Sequence, residues 1–293
     1  MRGKLIPFLL AGITVAPTLS YGYDEINQNS NIETECPTID VKGVSMYFDQ
    51  FGKLTINLPQ KLKYNQPKLQ KFNDINVYEI NPRQKRIVSI TSDEPKAFGY
   101  FIWKAQEDYP NIEAIMTGTF VTNHKNGIPV GKIIENGEVI CNGSYGFGEF
   151  STFVYHNEMA FVKDPNDEYN SDYNMAIGGL ARLVKNYELF NDAKARGISP
   201  FINRPRTAVG IKRDGNIIFV FVNSKIQRLA NIMLKEEFDV KDAIVLDGGD
   251  SRALWLKNDK YAEKGYIVYR ENSNRLMSNV IGIVPYEEVF ELE

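Results

Sequence analysis

Asp247 closes an apolar run, Ala243-Ile244-Val245-Leu246, and is followed at once by Gly248, Gly249, Asp250, Ser251 and Arg252 before the chain turns apolar again at Ala253. A strand that stops on an acid and two glycines brings backbone close to something, because glycine lacks a β-carbon and adopts positive φ. An acid held at the mouth of a sheet by a rigid strand suits a catalytic carboxylate. A tight turn with Asp as its former would leave the same residues in the same order. Asp250 raises the proton affinity of its neighbour unless Arg252 offsets the pair. The sequence requires no cofactor. Asp247 and Asp250 together also suit a divalent cation, although two carboxylates alone make a thin site.

Three other segments share that interrupted character: Thr117-Gly118-Thr119-Phe120, Ala176-Ile177-Gly178-Gly179-Leu180, and Arg204 to Gly210 with Arg206-Thr207 at its centre. Arg206 offers a planar, bidentate donor for phosphate oxygens, or a partner for a core acid. Backbone N–H groups at Gly118, Gly178, Gly179, Gly248 and Gly249 offer further anion contacts, and the Gly178-Gly179 pair serves equally to turn the chain. Ser251 is a poor nucleophile candidate, because no histidine motif accompanies it. His124 and His156 are the only histidines and stand in polar stretches, as loop residues do. Tyr145, Phe147 and Phe150 read as a packed loop or as a platform for a sugar ring.

The elements that must position these residues are mostly strands. Ile75–Ile80 and Arg86–Ile90 alternate across Asn81-Pro82 as a hairpin would. Asn136-Gly137 and Asp214-Gly215 are turn signals between apolar runs. Helices are expected over Ala97–Tyr109, before Pro110, and over Ser224–Phe238 with Ser224 as cap. The pattern predicts an α+β fold, a single domain with a largely antiparallel twisted sheet and two main helices.

Residues 1–22 read as a signal peptide: Arg2 and Lys4, an apolar stretch broken by Pro7 and Pro17, then small residues at Ser20-Tyr21-Gly22. Residues 23–71 read as a partly flexible N-terminal extension and 72–293 as the main domain. Formal charge is −3, or −5 once Arg2 and Lys4 leave with the leader, so a nucleic-acid partner is not expected. Nor is stable membrane insertion after cleavage, because the apolar run is short. Export to periplasm or medium would permit a Cys36–Cys141 disulfide, though two cysteines so far apart also fit independent thiols.

The order of these segments resembles the phosphodiester glycosidase family. That family shows Asn-Gly-[Gly/Thr]-Phe-Phe, a Pro-x-Gly hairpin, an Ala-x-Gly-Gly segment, Arg-Thr-Ala-x-Gly, Leu-Asp-Gly-Gly-[Gly/Ser]-Ser and a closing Arg-x-x-Ser-Asn strand. Here these are Thr117 to Val121, Pro129-Val130-Gly131, Ala176 to Leu180, Arg206 to Gly210, Leu246 to Ser251 and Arg275 to Val280, within residues 72–286. The resemblance implies hydrolysis of a sugar-1-phosphodiester in a glycan, glycolipid or wall polymer, with Asp247 and Arg206 catalytic. It implies substrate contacts from Thr117, Gly118, Thr119, Gly178, Gly179, Thr207, Gly248, Gly249, Asp250, Ser251 and Asn279. Thr117 in place of Asn, Val121 in place of Phe, Asp250 in place of a small residue and Arg252 depart from the pattern. They leave open a non-catalytic glycan- or polysaccharide-binding protein on the same scaffold.

Overall fold

The computed structural model describes residues 39–41, 44–48, 54–57, 69–72, 74–121, 128–143, 150–165, 167–169, 172–190, 201–257, 265–271 and 274–286. The leader, Cys36, His124, Tyr145 and Phe147 lie outside these residues; Cys141 is a half-buried free thiol. The chain divides into two units, Met1–Lys63 and Tyr64–Glu291. In the small unit Ile39–Val41, Val44–Phe48 and Leu54–Asn57 pair antiparallel.

The large unit holds three antiparallel sheets. The first runs, edge to edge, Glu188–Leu189, Arg182–Lys185, Val240–Leu246, Arg204–Lys212, Ile217–Ser224, Ile75–Ile80, Gln70–Phe72. The second runs Gly265–Arg270, Ala253–Lys257, Ala114–Thr117, Leu276–Pro285, Lys85–Ala97. The third runs Met159–Lys163, Thr152–His156, Met175–Gly178, Lys132–Glu135, Glu138–Asn142. Helix α1 is Phe98–Asp108 and α2 is Ile226–Met233. No helix among the described residues is long and apolar enough to cross a membrane.

Period-2 alternation explains why so many strands are apolar on both sides. Along Ile217–Ser224, Ile217, Phe219 and Phe221 join a core that all three sheets share, with Met116, Phe153, Ile177, Ile244 and Ile281. Ile218, Val220 and Val222 point the other way, onto Leu229, Ala230 and Met233 of α2. Helix α1 covers the outer face of the second sheet through Phe98, Phe101 and Ala105 on Ile90, Ile115 and Val280. The architecture is therefore sheet-rich, with antiparallel pairing and two helices as expected, but three sheets rather than one and helices only as outer covers.

Two local expectations change. The segments around Asn81-Pro82 do not pair: Ile75–Ile80 lies against Ile217–Ser224, and Lys85–Ala97 pairs with Leu276–Pro285. That turn carries the chain from one sheet to another, which an apolar run on either side allows as readily as a hairpin. Helix α2 is shorter than Ser224–Phe238, and its N-cap is Lys225, with no side-chain cap bond. By contrast Asn136 and Gly137 take φ of 50° and 84° in the tight hairpin that joins Glu135 to Glu138.

Within the third sheet the strands Met175–Gly178 and Lys132–Glu135 meet tightly where Gly178 faces Gly131. A β-carbon on Gly178 would stand 2.4 Å from the Gly131 Cα and 2.7 Å from the Lys132 nitrogen. Backbone cannot step aside as a side chain can, so Gly178→Ala is expected to cost about 3 kcal/mol. A thermal melt should show that as a fall of roughly 6–12 °C. Gly99 in α1 has open space around its missing β-carbon. Gly99→Ala in the same assay should leave Tm unchanged or slightly raised.

Candidate active site

Four strand ends come together around Asp247. Its backbone N–H donates to Gly118 O at 3.2 Å, tying the end of Val240–Leu246 to the end of Ala114–Thr117. Thr117 Oγ1 donates to Ser251 O at 2.7 Å and accepts from the Ala253 N–H at 2.8 Å, which fixes the loop after Asp247. Thr119 donates from its backbone N–H to Asn279 Oδ1 at 3.1 Å and from its hydroxyl to Gly178 O at 2.6 Å. Asn279 is aimed there by a register shift between Met277 and Asn279. A β-carbon on Gly118 would stand 2.6 Å from Asn279 Oδ1, and one on Gly179 would stand 2.7 Å from Val245 O. The third sheet thereby joins the first two, and Thr117, Gly118, Thr119, Gly178, Gly179, Gly248, Ser251 and Asn279 all belong to this junction.

Asp247 is 4% exposed. Burial pushes its carboxyl up to about 7, against the Ser251 hydroxyl, the Arg275 charge and the Gly248 N–H, which all favour the anion. Exposed Asp250 adds to the rise. Gly248 N–H donates to Asp247 Oδ1 at 2.8 Å, and Arg275 Nε donates to Ser251 Oγ at 2.9 Å. Arg252 does not offset the two acids. Its guanidinium bonds Glu271, with Nε at 2.9 Å, and lies 4.5 Å from the Tyr269 ring centroid. Arg275 supplies the positive charge instead. The sequence carried a signal for it, since it opens the Arg275–Val280 segment, but adjacency in the chain favoured Arg252.

Arg206 comes from the neighbouring strand. The register that pairs Thr207 with Leu246 continues, so that Gly248 packs against Pro205 O and Arg206 Cα. The Arg206 guanidinium donates to Ser224 O at 3.4 Å and to Ile202 O at 3.3 Å. It has no carboxylate partner among the described residues. Burial and the Arg204 charge hold its pKa below the usual arginine range. Thr207 does not stand with Arg206: successive strand residues face opposite sides. The Thr207 side chain shares a face with Leu246 and Val209, and its hydroxyl is buried with no partner among the described residues.

Gly249 takes φ of +57° with open space around it, so it serves the turn Gly249–Ser251. His156 bonds Asn157 and lies against the Tyr173 ring, at a hairpin remote in sequence from the junction residues. No cluster of three or more His, Cys, Asp or Glu suited to a metal occurs among the described residues, so a cation here would rest on Asp247 and Asp250 alone. Two clefts are lined by described residues, one of about 290 Å³ around Lys132 and Tyr169 and one of about 400 Å³ around Arg86 and Tyr286; Asp247, Arg206 and Gly118 line neither.

The sequence model of the phosphodiester glycosidase family matches residues 110–284. The chain is similar in fold to the zebrafish N-acetylglucosamine-1-phosphodiester alpha-N-acetylglucosaminidase catalytic domain, auto-inhibited by its pro-peptide. The TM-score is 0.55 at 15% identity, over 88% of this chain and 85% of that one. A hypothetical protein from Synechocystis matches with a TM-score of 0.48 at 13% identity, over 85% of this chain and 61% of that one. No curated protein matches the sequence.

The raised Asp247 value has a consequence for stability. An unfolded aspartate releases its proton near pH 4, whereas the folded chain keeps this one until about pH 7. The folded state therefore binds the extra proton between those values, and stability falls as pH rises through that window. Three pH units at about 1.4 kcal/mol each amount to roughly 4 kcal/mol. Asp247→Asn does not titrate, so its Tm relative to the native chain should climb from pH 4 to pH 7 and level off above. A difference that stays flat across that range would show that Asp247 is not held protonated by burial.

Proposed function

The chain belongs to the phosphodiester glycosidase family, and from that premise we propose that it is an exported hydrolase of sugar-1-phosphodiesters. It would release the sugar from a glycan, glycolipid or wall polymer and leave a phosphomonoester. The observation that carries the reading is a buried acid titrating near 7, one strand away from a buried guanidinium that has no acid of its own among the described residues. The leader-like composition of residues 1–22 supports export to the periplasm or the medium.

The chemistry follows from the leaving group. A phosphate departs as a stable anion, so the glycosidic bond needs less help from an acid than an ordinary glycoside does. What it needs is a fixed positive charge on the phosphate and a base for water. Arg206 suits the first role. Asp247 suits the second, because a base titrating near the working pH both accepts a proton well and is present in the required form. In the step proposed, Asp247 takes a proton from water as the water oxygen bonds the anomeric carbon. The bond from that carbon to the phosphate oxygen breaks, and its electron pair stays on the phosphate. A nucleophilic or purely electrostatic acid would be better served by a low pKa, which favours water activation among the three roles open to Asp247. Arg275, through Ser251, holds the carboxylate in place.

Two of the four departures from the family pattern find structural partners: Thr117 fixes the loop, and Arg252 pairs with Glu271. Those two give no independent support to a glycan-binding protein without turnover. A sugar-phosphodiester complex that persists unhydrolysed for hours would instead support that reading. The reaction as written uses no metal, so chelator should leave the rate unchanged; loss of activity would bring in a cation at Asp247 and Asp250.

Asp247→Asn should fold and lose about 10²- to 10⁴-fold in kcat, measured as free sugar released from a sugar-1-phosphodiester. Native kcat/KM should rise with pH through about 7 and then plateau, because the base works only when deprotonated. Retention of turnover by Asp247→Asn would remove the acid from the mechanism. Arg206→Met should raise KM by about 10- to 100-fold, the loss expected for hydrogen bonds to a charged group.

A further inference from the structure

Ser224 ends the strand Ile217–Ser224 and is 1% exposed, yet its hydroxyl has no partner among the described residues. A buried hydroxyl without a partner is unfavourable, and such groups mark a missing ligand or water. The obvious use for this serine, capping α2, is not made: Lys225 is the N-cap, and no side chain caps the helix. The start of α2 thus presents its partial positive charge with no cap bond from the Lys225 side chain.

Two arginines share this spot. The register places Arg204 opposite Ser224 and Arg206 opposite Val222, and alternation puts all four on the α2 side of the sheet. The Arg206 Nε already reaches Ser224 O, and its Nη1 donates to nothing among the described residues. Arg204 is near enough to act on the Arg206 charge, and no acid among the described residues acts on Arg206. Two guanidiniums, an unpartnered hydroxyl and a bare helix start all ask for one kind of ligand, a tetrahedral oxyanion. Neighbouring strands lie about 4.8 Å apart, so an anion over Arg206 would have Asp247 one strand away, on the side opposite Ser224.

We propose that Arg206, Ser224 Oγ and the first turn of α2 form the seat of the phosphate, with Arg204 as a second positive charge. The seat favours a doubly charged phosphomonoester over a diester. The phosphomonoester product and inorganic phosphate therefore compete with the substrate. The inference rests on the hydrolase reading for its substrate, but its test does not need turnover.

The test measures binding of inorganic phosphate to the full chain by calorimetry, with dimethyl phosphate as the singly charged comparison. The native protein should bind inorganic phosphate saturably and dimethyl phosphate at least several-fold more weakly. Ser224→Ala should keep or raise the ligand-free Tm, because an unpartnered buried hydroxyl is removed. It should also weaken phosphate binding by about 5- to 20-fold, as loss of a bond to a charged ligand does. A hydroxyl with only a structural role would not weaken binding while leaving Tm intact. Arg204→Gln, at an exposed position, gives a second reading that does not depend on the serine variant folding, and should weaken phosphate several-fold. Unchanged phosphate affinity in both variants, or no saturable binding by the native chain, overturns the seat. Normal binding in both variants with turnover lost in Asp247→Asn would discard the seat and keep the hydrolase. Weakened binding in Ser224→Ala with no phosphodiester hydrolysed would do the reverse.

Discussion

The structure depends on backbone meeting backbone where three sheets converge. Gly179, which follows Met175–Gly178 of the third sheet, lies so close to Ile244 and Val245 O of the first sheet that a side chain there would force the two sheets apart. Because they are not forced apart, the Asp247 N–H reaches Gly118 O and Thr119 reaches both Gly178 O and Asn279. These bonds hold the strand ends together at Asp247, whose side chain is buried. The glycines thus have a packing role that does not depend on a ligand. They set how tightly neighbouring strands and sheets pack, and that packing decides how little water the acid meets.

Water exclusion then decides the chemistry. Three groups favour the Asp247 anion, namely the Ser251 hydroxyl, the Gly248 N–H and the Arg275 charge, and burial still outweighs them. Had Arg252 turned toward the acids, a nearby guanidinium would have held the value down. Glu271 and the Tyr269 ring draw it away, and Arg275 acts at one remove through Ser251. The result is an acid that changes protonation near neutral pH, where most aspartates are already ionised.

Much of this was legible in the chain. The four glycine-interrupted segments were found by composition, and the structure brings them together, because glycine and small polar residues within apolar runs are uncommon unless something approaches closely. The Asn136-Gly137 hairpin was legible for a similar reason, since few residues accept positive φ. What escaped the sequence were choices among equally good partners. The residues around Asn81-Pro82 fit a hairpin and a change of sheet alike, and only long-range packing separates them. Arg252 lies nearer Asp247 in the chain, but Arg275 is nearer in effect. Ser224 has the right type for a cap, yet the strand holds it until its last residue and the helix begins without it. Thr207 follows Arg206 in the motif, but pleating sends it to the other side of the sheet.

The buried arginines show why the unpaired one matters. Arg182 is 4% exposed and bonds Asp164 and, at 2.5 Å, Asp242. Arg252, 6% exposed, bonds Glu271. Arg206 is 7% exposed and, among the described residues, meets only two carbonyls. Desolvating a guanidinium is unfavourable by several kcal/mol, which an opposed carboxylate at close range can offset and a neutral carbonyl offsets only in part. The same fold thus provides acids for two arginines and none, among the described residues, for the third. A structural role would have been met by a carboxylate, as it is at Arg182. A charge kept ready for an incoming anion must do without one, because a resident acid would compete with the ligand for the same donors. On that argument the absence of a described acid at Arg206 and the start of α2 without a side-chain cap both fit the phosphate seat proposed above.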